Sequence, residues 1–272
     1  MERQPDWSEV HRLALEAERS GGAVGVAVIG PGGARFSYNG DRRFRAASTV
    51  KIPIMVEIYR QIDRGERSLQ DPYVLMATAK APGSGVLLHL HDGLELTVND
   101  LIYLMISISD NAATNILIEM AGMKHVNETI RSLGMTGSTL GRTMKGRPAQ
   151  GDEQENWATP NDYVLAVQAI LDGRAASPDA CARMTAMLET QQNARRIARF
   201  LPEREGIRWG SKTGSIRGVT NDAGFVATPM GTLIIAVYCE DLADQHTGEE
   251  VIGEISRAAM QATDLLAPAS TA

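Results

Sequence analysis

Cysteine is scarce. The chain carries two, Cys181 and Cys239, and their spacing does not suit a metal site. A structural disulfide is not expected, and Cys239, inside the apolar run GTLIIAVYC, is expected to be a buried free thiol. Long apolar runs are missing too: nothing approaches the roughly 20 residues of a membrane span. The first stretch, MERQPDWSEVHRLALEAERS, is charged and amphipathic and lacks the apolar centre of a secretory signal. With Met1 as the start, the expected location is the cytoplasm; a leader removed earlier would place the protein in the periplasm or outside the cell. Basic charge is short as well, with 27 Lys and Arg against 33 Asp and Glu and a net charge of -6. Nucleic-acid binding normally needs a basic patch and is not expected. There is no polybasic segment and no internal repeat.

What the chain has is apolar residues, 43% of 272, enough for one large domain or two closely packed lobes. Ser8 to Arg19 reads as an amphipathic helix, with Val10, Leu13, Ala14 and Ala17 on one side. AVGVAVIG reads as a strand, PGG as a turn, and ARFSYNG as a second strand ending in a hairpin-type Asn39-Gly40 signal. From Ser48 to about Ala194 the pattern is helical. VKIPIMVEIYRQIDRG ends at Gly65; LTVNDLIYLMISIS has Thr97 as N-cap and Asp100 in its first turn. Four more helices follow, in NAATNILIEMAG, MKHVNETIRSLG, TPNDYVLAVQAILDG and PDACARMTAMLETQ. Strands return in GIRWGSKTGSIRG, TNDAGFVATP and GTLIIAVYCED, and HTGEEVIGEISRAAMQATDLL closes the chain as a helix. The expected fold class is α/β: an antiparallel sheet built from the N- and C-terminal segments, flanked by helices, with an inserted all-helical lobe. Residues 1–47 and 195–272 form the α/β lobe and 48–194 the helical one, with the site in the cleft between them.

Three short stretches carry chemistry. In AASTVKIPIM, Ser48 and Lys51 stand three residues apart at a helix start and share a face. A serine hydroxyl attacks only with a base beside it, and a lysine is that base only when its pKa is lowered. Alone, Ser48 reads as a helix N-cap. Ser109-Asp110-Asn111 sits at the break between two apolar helical runs, where all three residues also favour a helix stop and a new cap. SKTGS, Ser211 to Ser215, lies in a strand on which Lys212 and Thr213 alternate faces, and Gly214 lets another backbone or a ligand come close. Alone, this is an edge strand with a surface lysine.

Together, Ser-x-x-Lys, Ser-Asp-Asn and Lys-Thr-Gly in this order resemble the serine β-lactamase and penicillin-binding protein superfamily, most closely the class A β-lactamases. The segments GSGVLLHL, LTVNDLIYLMISISDNAATN and GVTND share the resemblance, which spans nearly the whole chain. It implies a β-lactamase/transpeptidase-like fold and a role in antibiotic resistance. It implies Ser48 as the nucleophile that opens a cyclic amide, Lys51 as its proton partner, and Ser109 as the group passing a proton to the leaving nitrogen. Asn111 holds the substrate amide, Lys212 sits near the substrate carboxylate, and Thr213, Gly214 and Ser215 form the substrate-binding strand. The N–H groups of Ser48 and Ser215 make the oxyanion hole. No metal or cofactor is needed. The expected partner is a small β-lactam or related acyl substrate, with no nucleic acid and no membrane, and the chain is expected to be a monomer.

The resemblance breaks at the step that releases the acyl group. Class A enzymes place a glutamate four residues before an asparagine in an omega-shaped loop, and the pair holds the deacylating water. Asn156 matches that asparagine, but Asp152 stands four before it, and the loop GRPAQGDEQENWATPNDY is shortened. Asp152, Glu153 and Glu155 compete for the role, against the alternative that all three are solvated loop charges. Glu153 and Glu155 reach further than the shorter Asp152, and the sequence does not rank those two. An arginine often found in the GVTND-like segment is replaced by Thr220, leaving Arg217 either to supply that charge or to serve as a turn residue. The reading is a serine β-lactamase with slow deacylation. The alternatives are a related serine acyl hydrolase (a peptidase or esterase), a penicillin-binding protein, and a non-catalytic binding module.

Overall fold

The computed structural model describes residues 4–19 and 21–266. Residues 1–3, 20 and 267–272, the ends of the expected α/β lobe among them, lie outside the described residues. The chain opens with helix α1 (Ser8–Arg19), strands β1 (Ala23–Ile29), β2 (Arg35–Tyr38) and β3 (Phe44–Arg45), and helix α2 (Lys51–Asp63). Next come the short strands β4 (Pro72–Val74) and β5 (Glu95–Thr97), and helices α3 (Val98–Ser107), α4 (Asn111–Ala121) and α5 (Met123–Ser132). Strand β6 (Trp157–Ala158) and helices α6 (Pro160–Leu171) and α7 (Pro178–Glu189) lead into strands β7 (Arg208–Ile216), β8 (Val219–Thr228) and β9 (Gly231–Glu240) and the final helix α8 (Gln245–Ala262).

One antiparallel sheet of five strands, in the order β2-β1-β9-β8-β7, draws its strands from the two ends of the chain. β1 reads as an unbroken apolar run because both of its faces are covered. Val24, Val26 and Val28 pack with α1 and α8, while Ala23, Ala27 and Ile29 join the larger core on the other side with α2 and α6. β7 is an edge strand, leaving one margin of the sheet open to the helices inserted between β3 and β7. No helix among the described residues is long and apolar enough to cross a membrane.

Local chemistry explains most element boundaries. Thr97 accepts from Asp100 N while Asp100 accepts from Thr97 N, a reciprocal cap that is worth about 1 kcal/mol. Gly122 closes α4 at φ 80°, a conformation that side-chain-bearing residues resist. Other boundaries depart from the sequence pattern. Asn39-Gly40 is a turn but not a hairpin: β3, which follows it, pairs with β6 through Phe44↔Ala158 and Arg45↔Trp157. The helix expected from Ser48 is preceded by a 3₁₀ turn, Ala47–Val50, and α2 starts at Lys51. Both cysteines are buried and free, and burial raises the Cys239 thiol to about 12.

Candidate active site

Ser48 lies in that 3₁₀ turn and is 7% exposed. It is not the helix cap: α2 is capped by Val50 with no side-chain hydrogen bond. The turn is held from three remote segments. Ala46 N donates to Asn156 O at 2.7 Å, and Asn221 Nδ2 donates to Arg45 O at 2.9 Å. Tyr238 OH donates to Thr49 Oγ1 at 3.0 Å. Ala47 is forced to φ 46° and Ser109 to φ 61°, left-handed backbone that costs about 1–2 kcal/mol per residue. Strain of this kind gathers where a site must aim particular atoms.

Lys51 is fully buried. Its Nζ donates to Ser109 O at 2.8 Å, to Ser109 Oγ at 2.9 Å and to Asn111 Oδ1 at 3.1 Å. Desolvation, then the charge of Lys212, hold its ammonium well below the usual lysine range, and Asp110 opposes them. The Ser-Asp-Asn break thus does two jobs. Asp110 caps α4 through Ala113 N at 2.9 Å and ties down Val86 N and Leu87 N, while its neighbours turn toward Lys51. Asn111 also donates from Nδ2 to Pro82 O at 2.9 Å.

On the facing edge, Lys212 is fully buried, not a surface lysine, and its Nζ donates to Thr213 O at 3.0 Å. Burial lowers its pKa to about 7, with Asp222 opposing and Arg196 adding to the fall. Thr213 is buried and Ser215 exposed. The backbone that approaches Gly214 is the Ser48 turn: a Cβ there would stand 2.9 Å from Ala46 O and 3.2 Å from Ser48 N. Gly214→Ala is therefore expected to lower the melting temperature, since overpacking of this kind costs about 1–3 kcal/mol. An unchanged thermal melt would show that the turn yields.

Ser48 and Ser215 line two adjoining spaces. One, of about 240 Å³, also takes in Asn111, Glu155 and Asn156. The other, of about 550 Å³, runs past Ser109, Thr213 and Arg196. The loop carboxylates separate here. Asp152 is exposed. Glu153 turns to Arg147 at 2.7 Å and to Lys145, and these hydrogen bonds, Arg147 first, hold its carboxyl well below the usual range. Glu155 lines the smaller cavity. Its carboxylate accepts from Arg142 Nε at 3.1 Å, Arg142 NH2 at 3.0 Å, Ala149 N at 2.9 Å and Asn156 N at 2.8 Å. Asn156 spends its Oδ1 on Gly141 N and Arg142 N, at 2.8 and 2.9 Å. The two residues therefore brace the short loop from inside.

The likeness extends over nearly the whole chain. A family model described as the beta-lactamase enzyme family matches residues 7–263. The chain belongs to the beta-lactamase enzyme family. It is 63% identical to a β-lactamase of Sphaerobacter thermophilus DSM 20745 whose crystal structure superposes with a TM-score of 0.95, covering 97% of this chain and 100% of that one. A β-lactamase of Rhodobacter capsulatus is 31% identical over 225 residues, 81% of this chain and 70% of that protein. A mutant of PBP-A, solved as an acyl-enzyme complex with penicillin G, is 25% identical with a TM-score of 0.82, over 94% of this chain and 96% of that one.

One residue of this β-lactamase family member escaped the sequence reading. Arg196, in the polar loop before β7, is 1% exposed. Its guanidinium donates to Gly214 O at 3.1 Å, to Asn221 O at 2.6 Å and to Ser215 Oγ at 2.5 Å. Arg217, considered for that charge, is an exposed residue of the β7–β8 turn. The Arg195-Arg196 pair carries no motif, and only the register of β7 reveals which arginine lies beneath it.

Proposed function

We propose that the chain is a serine β-lactamase that hydrolyses the amide of a β-lactam ring through an acyl-enzyme on Ser48. The observation that carries this reading is Lys51 Nζ, desolvated and held within 2.9 Å of Ser109 Oγ, one helical turn from Ser48. A lysine whose pKa is lowered takes the Ser48 proton at neutral pH. As the Ser48 oxygen bonds to the lactam carbon, the carbon–nitrogen bond breaks, and Ser109 delivers its proton to the nitrogen and takes in return the one that Lys51 accepted from Ser48. The N–H groups of Ser48 and Ser215 take the developing oxyanion. Asn111 orients the substrate amide, and Lys212, Thr213 and Ser215 hold its carboxylate. Glu155, with Asn156, activates the water that releases the acyl group. Four donors already engage the Glu155 carboxylate, which supports slow release. In this reading residues 1–47 and 195–272 form one lobe, 48–194 the other, and a monomer works on a small substrate in the cleft between them.

Time-resolved intact mass with penicillin G tests the reading. An adduct on Ser48 that forms and then disappears is the expected result; absence of any adduct overturns it. An adduct that persists favours a penicillin-binding protein, a second reading supported by the occupied Glu155 and the likeness to PBP-A.

The pH dependence carries its own sign. Lys212 is an ammonium below about 7 and loses its charge above. Because kcat/KM reports the free enzyme, it is expected to fall as pH rises through about 7. Lys212→Arg, cationic at every working pH, is expected to move that limb upward. A kcat/KM flat from pH 6 to 9 in the unmodified protein, read on a chromogenic cephalosporin, contradicts the assignment.

A further inference from the structure

The two spaces beside Ser48 are bounded differently. The one on the side of Thr213 and Arg196 measures about 550 Å³. The one on the side of Asn111 measures only about 240 Å³. Pockets that enclose a drug-sized ligand run to about 300–1,000 Å³, so the constriction lies on one side of the nucleophile. Ser215 and Ile216 line both the small space and a wider cleft around the β7–β8 turn, and stand between the two.

Two glycines make the opposite wall. Gly83 comes from the segment between β4 and β5, and Gly146 from the short loop before β6. They meet backbone to backbone. A Cβ on Gly83 would stand 3.0 Å from Gly146 Cα, and a Cβ on Gly146 would stand 3.0 Å from Gly83 Cα and 3.1 Å from Pro82 O. Both are left-handed, with φ 105° and 67°.

One helix holds the two loops together. Asn111 and Asn115 are one turn apart on α4 and share a face. Asn111 ties the first loop: its Nδ2 donates to Pro82 O at 2.9 Å and its N to Ser84 O at 3.0 Å. Asn115 ties the second: its Nδ2 donates to Met144 O at 3.0 Å, and its Oδ1 accepts from Met144 N at 2.7 Å. Beyond Gly146, Arg142 NH2 donates to Arg147 O at 2.7 Å.

This wall stands where selection counts. Asn111 is read as orienting the substrate amide, so the group carried by that amide lies in the walled space. The same space must admit the water that Glu155 is read as activating. A long or branched acyl group has to part the two loops against the Asn115 clamp; a small one does not. We propose that the Gly83–Gly146 contact makes the protein selective for β-lactams whose ring amide carries a small acyl group, with Asn115 as the positioning residue that keeps the contact closed. The inference rests on the reading of Ser48 as nucleophile and of Asn111 as the residue that holds the amide.

The test follows acylation of Ser48 by intact mass with two cephalosporins that share one 3-acetoxymethyl nucleus. One is 7-acetamidocephalosporanic acid; the other is cefotaxime, with its branched aminothiazole oxime. Second-order acylation rates, each divided by the compound's hydrolysis rate in hydroxide, read entry into the site and are blind to release. The acetamido compound is expected to acylate the unmodified protein about 30-fold faster. In Asn115→Ala that ratio is expected to fall by about fivefold. Equal rates in the unmodified protein overturn the proposal. So does an unchanged ratio in Asn115→Ala, because a purely structural loss slows both compounds alike. Should Asn115→Ala not fold, Met144→Ala enlarges the same space from within and keeps the backbone clamp. It too is expected to lower the ratio, and an unchanged ratio again overturns the proposal. An adduct with neither compound removes the functional reading and the proposal with it, whereas equal labelling by both removes the selectivity alone.

Discussion

Ser48→Ala is expected to fold normally and to lose turnover of a chromogenic cephalosporin by about 10⁴-fold or more. The hydroxyl makes no capping bond to α2, whose N-cap is Val50, so its removal leaves the helix start intact. The turn is fixed by Ala46, Thr49 and Asn156, none of which the substitution touches. What disappears is the hydroxyl that the proposed function makes the nucleophile. The measurement is initial rate beside a thermal melt, with intact mass after penicillin G. An alanine variant that still gains the mass of the drug, or still turns over, removes Ser48 from the mechanism.

The second large effect is expected at Glu155. Glu155→Gln keeps the side chain's length and some of its contacts to the loop but cannot accept a proton. Acylation is expected to proceed, since Lys51 and Ser109 are untouched, and release is expected to slow by about 10²–10⁴-fold. Intact mass will show the adduct forming at the wild-type rate and then persisting. Glu153→Gln supplies the contrast: its carboxylate faces Arg147 and Lys145, so its loss is expected to change turnover little. If Glu155→Gln releases the acyl group as fast as the unmodified protein, the deacylating base is some other group.

The two glutamates show where the sequence ran out. Both sit in a short irregular loop with no period to give a direction, and their spacing from Asn156 matched no known pattern. Arg142 draws Glu155 inward and Arg147 draws Glu153 outward, and those partners are set by how residues 141–156 fold back on themselves. Where the chain is periodic, it was legible. The sheet drawn from both termini followed from apolar runs bounded by turn residues, and α3 from its Thr97–Asp100 cap. β4, β5 and β6 were missed because two or three residues are too few for alternation to show. Asn39-Gly40 misled because a turn signal says that the chain bends, not which strand it will meet. Ser48, Ser109 and Lys212 stand in a recognisable motif set, while Arg196 stands in none. Its place beneath β7 depends on strand register and on burial, which no local pattern encodes.

The turn that carries Ser48 has a consequence for how the protein comes into being. Its supports arrive from Asn156, Asn221 and Tyr238, contacts that span most of the chain. Pairings this distant in sequence close late, because the loop between them must be ordered first. A chain that has not yet received β8 and β9 has no means of holding Ala47 in its left-handed conformation or of bringing Gly214 against Ser48. On the proposed function, the hydroxyl is expected to become reactive only as the last strands dock. Covalent labelling by penicillin would count completed molecules during refolding and pass over the unfinished ones, making the antibiotic a clock for the final step of assembly.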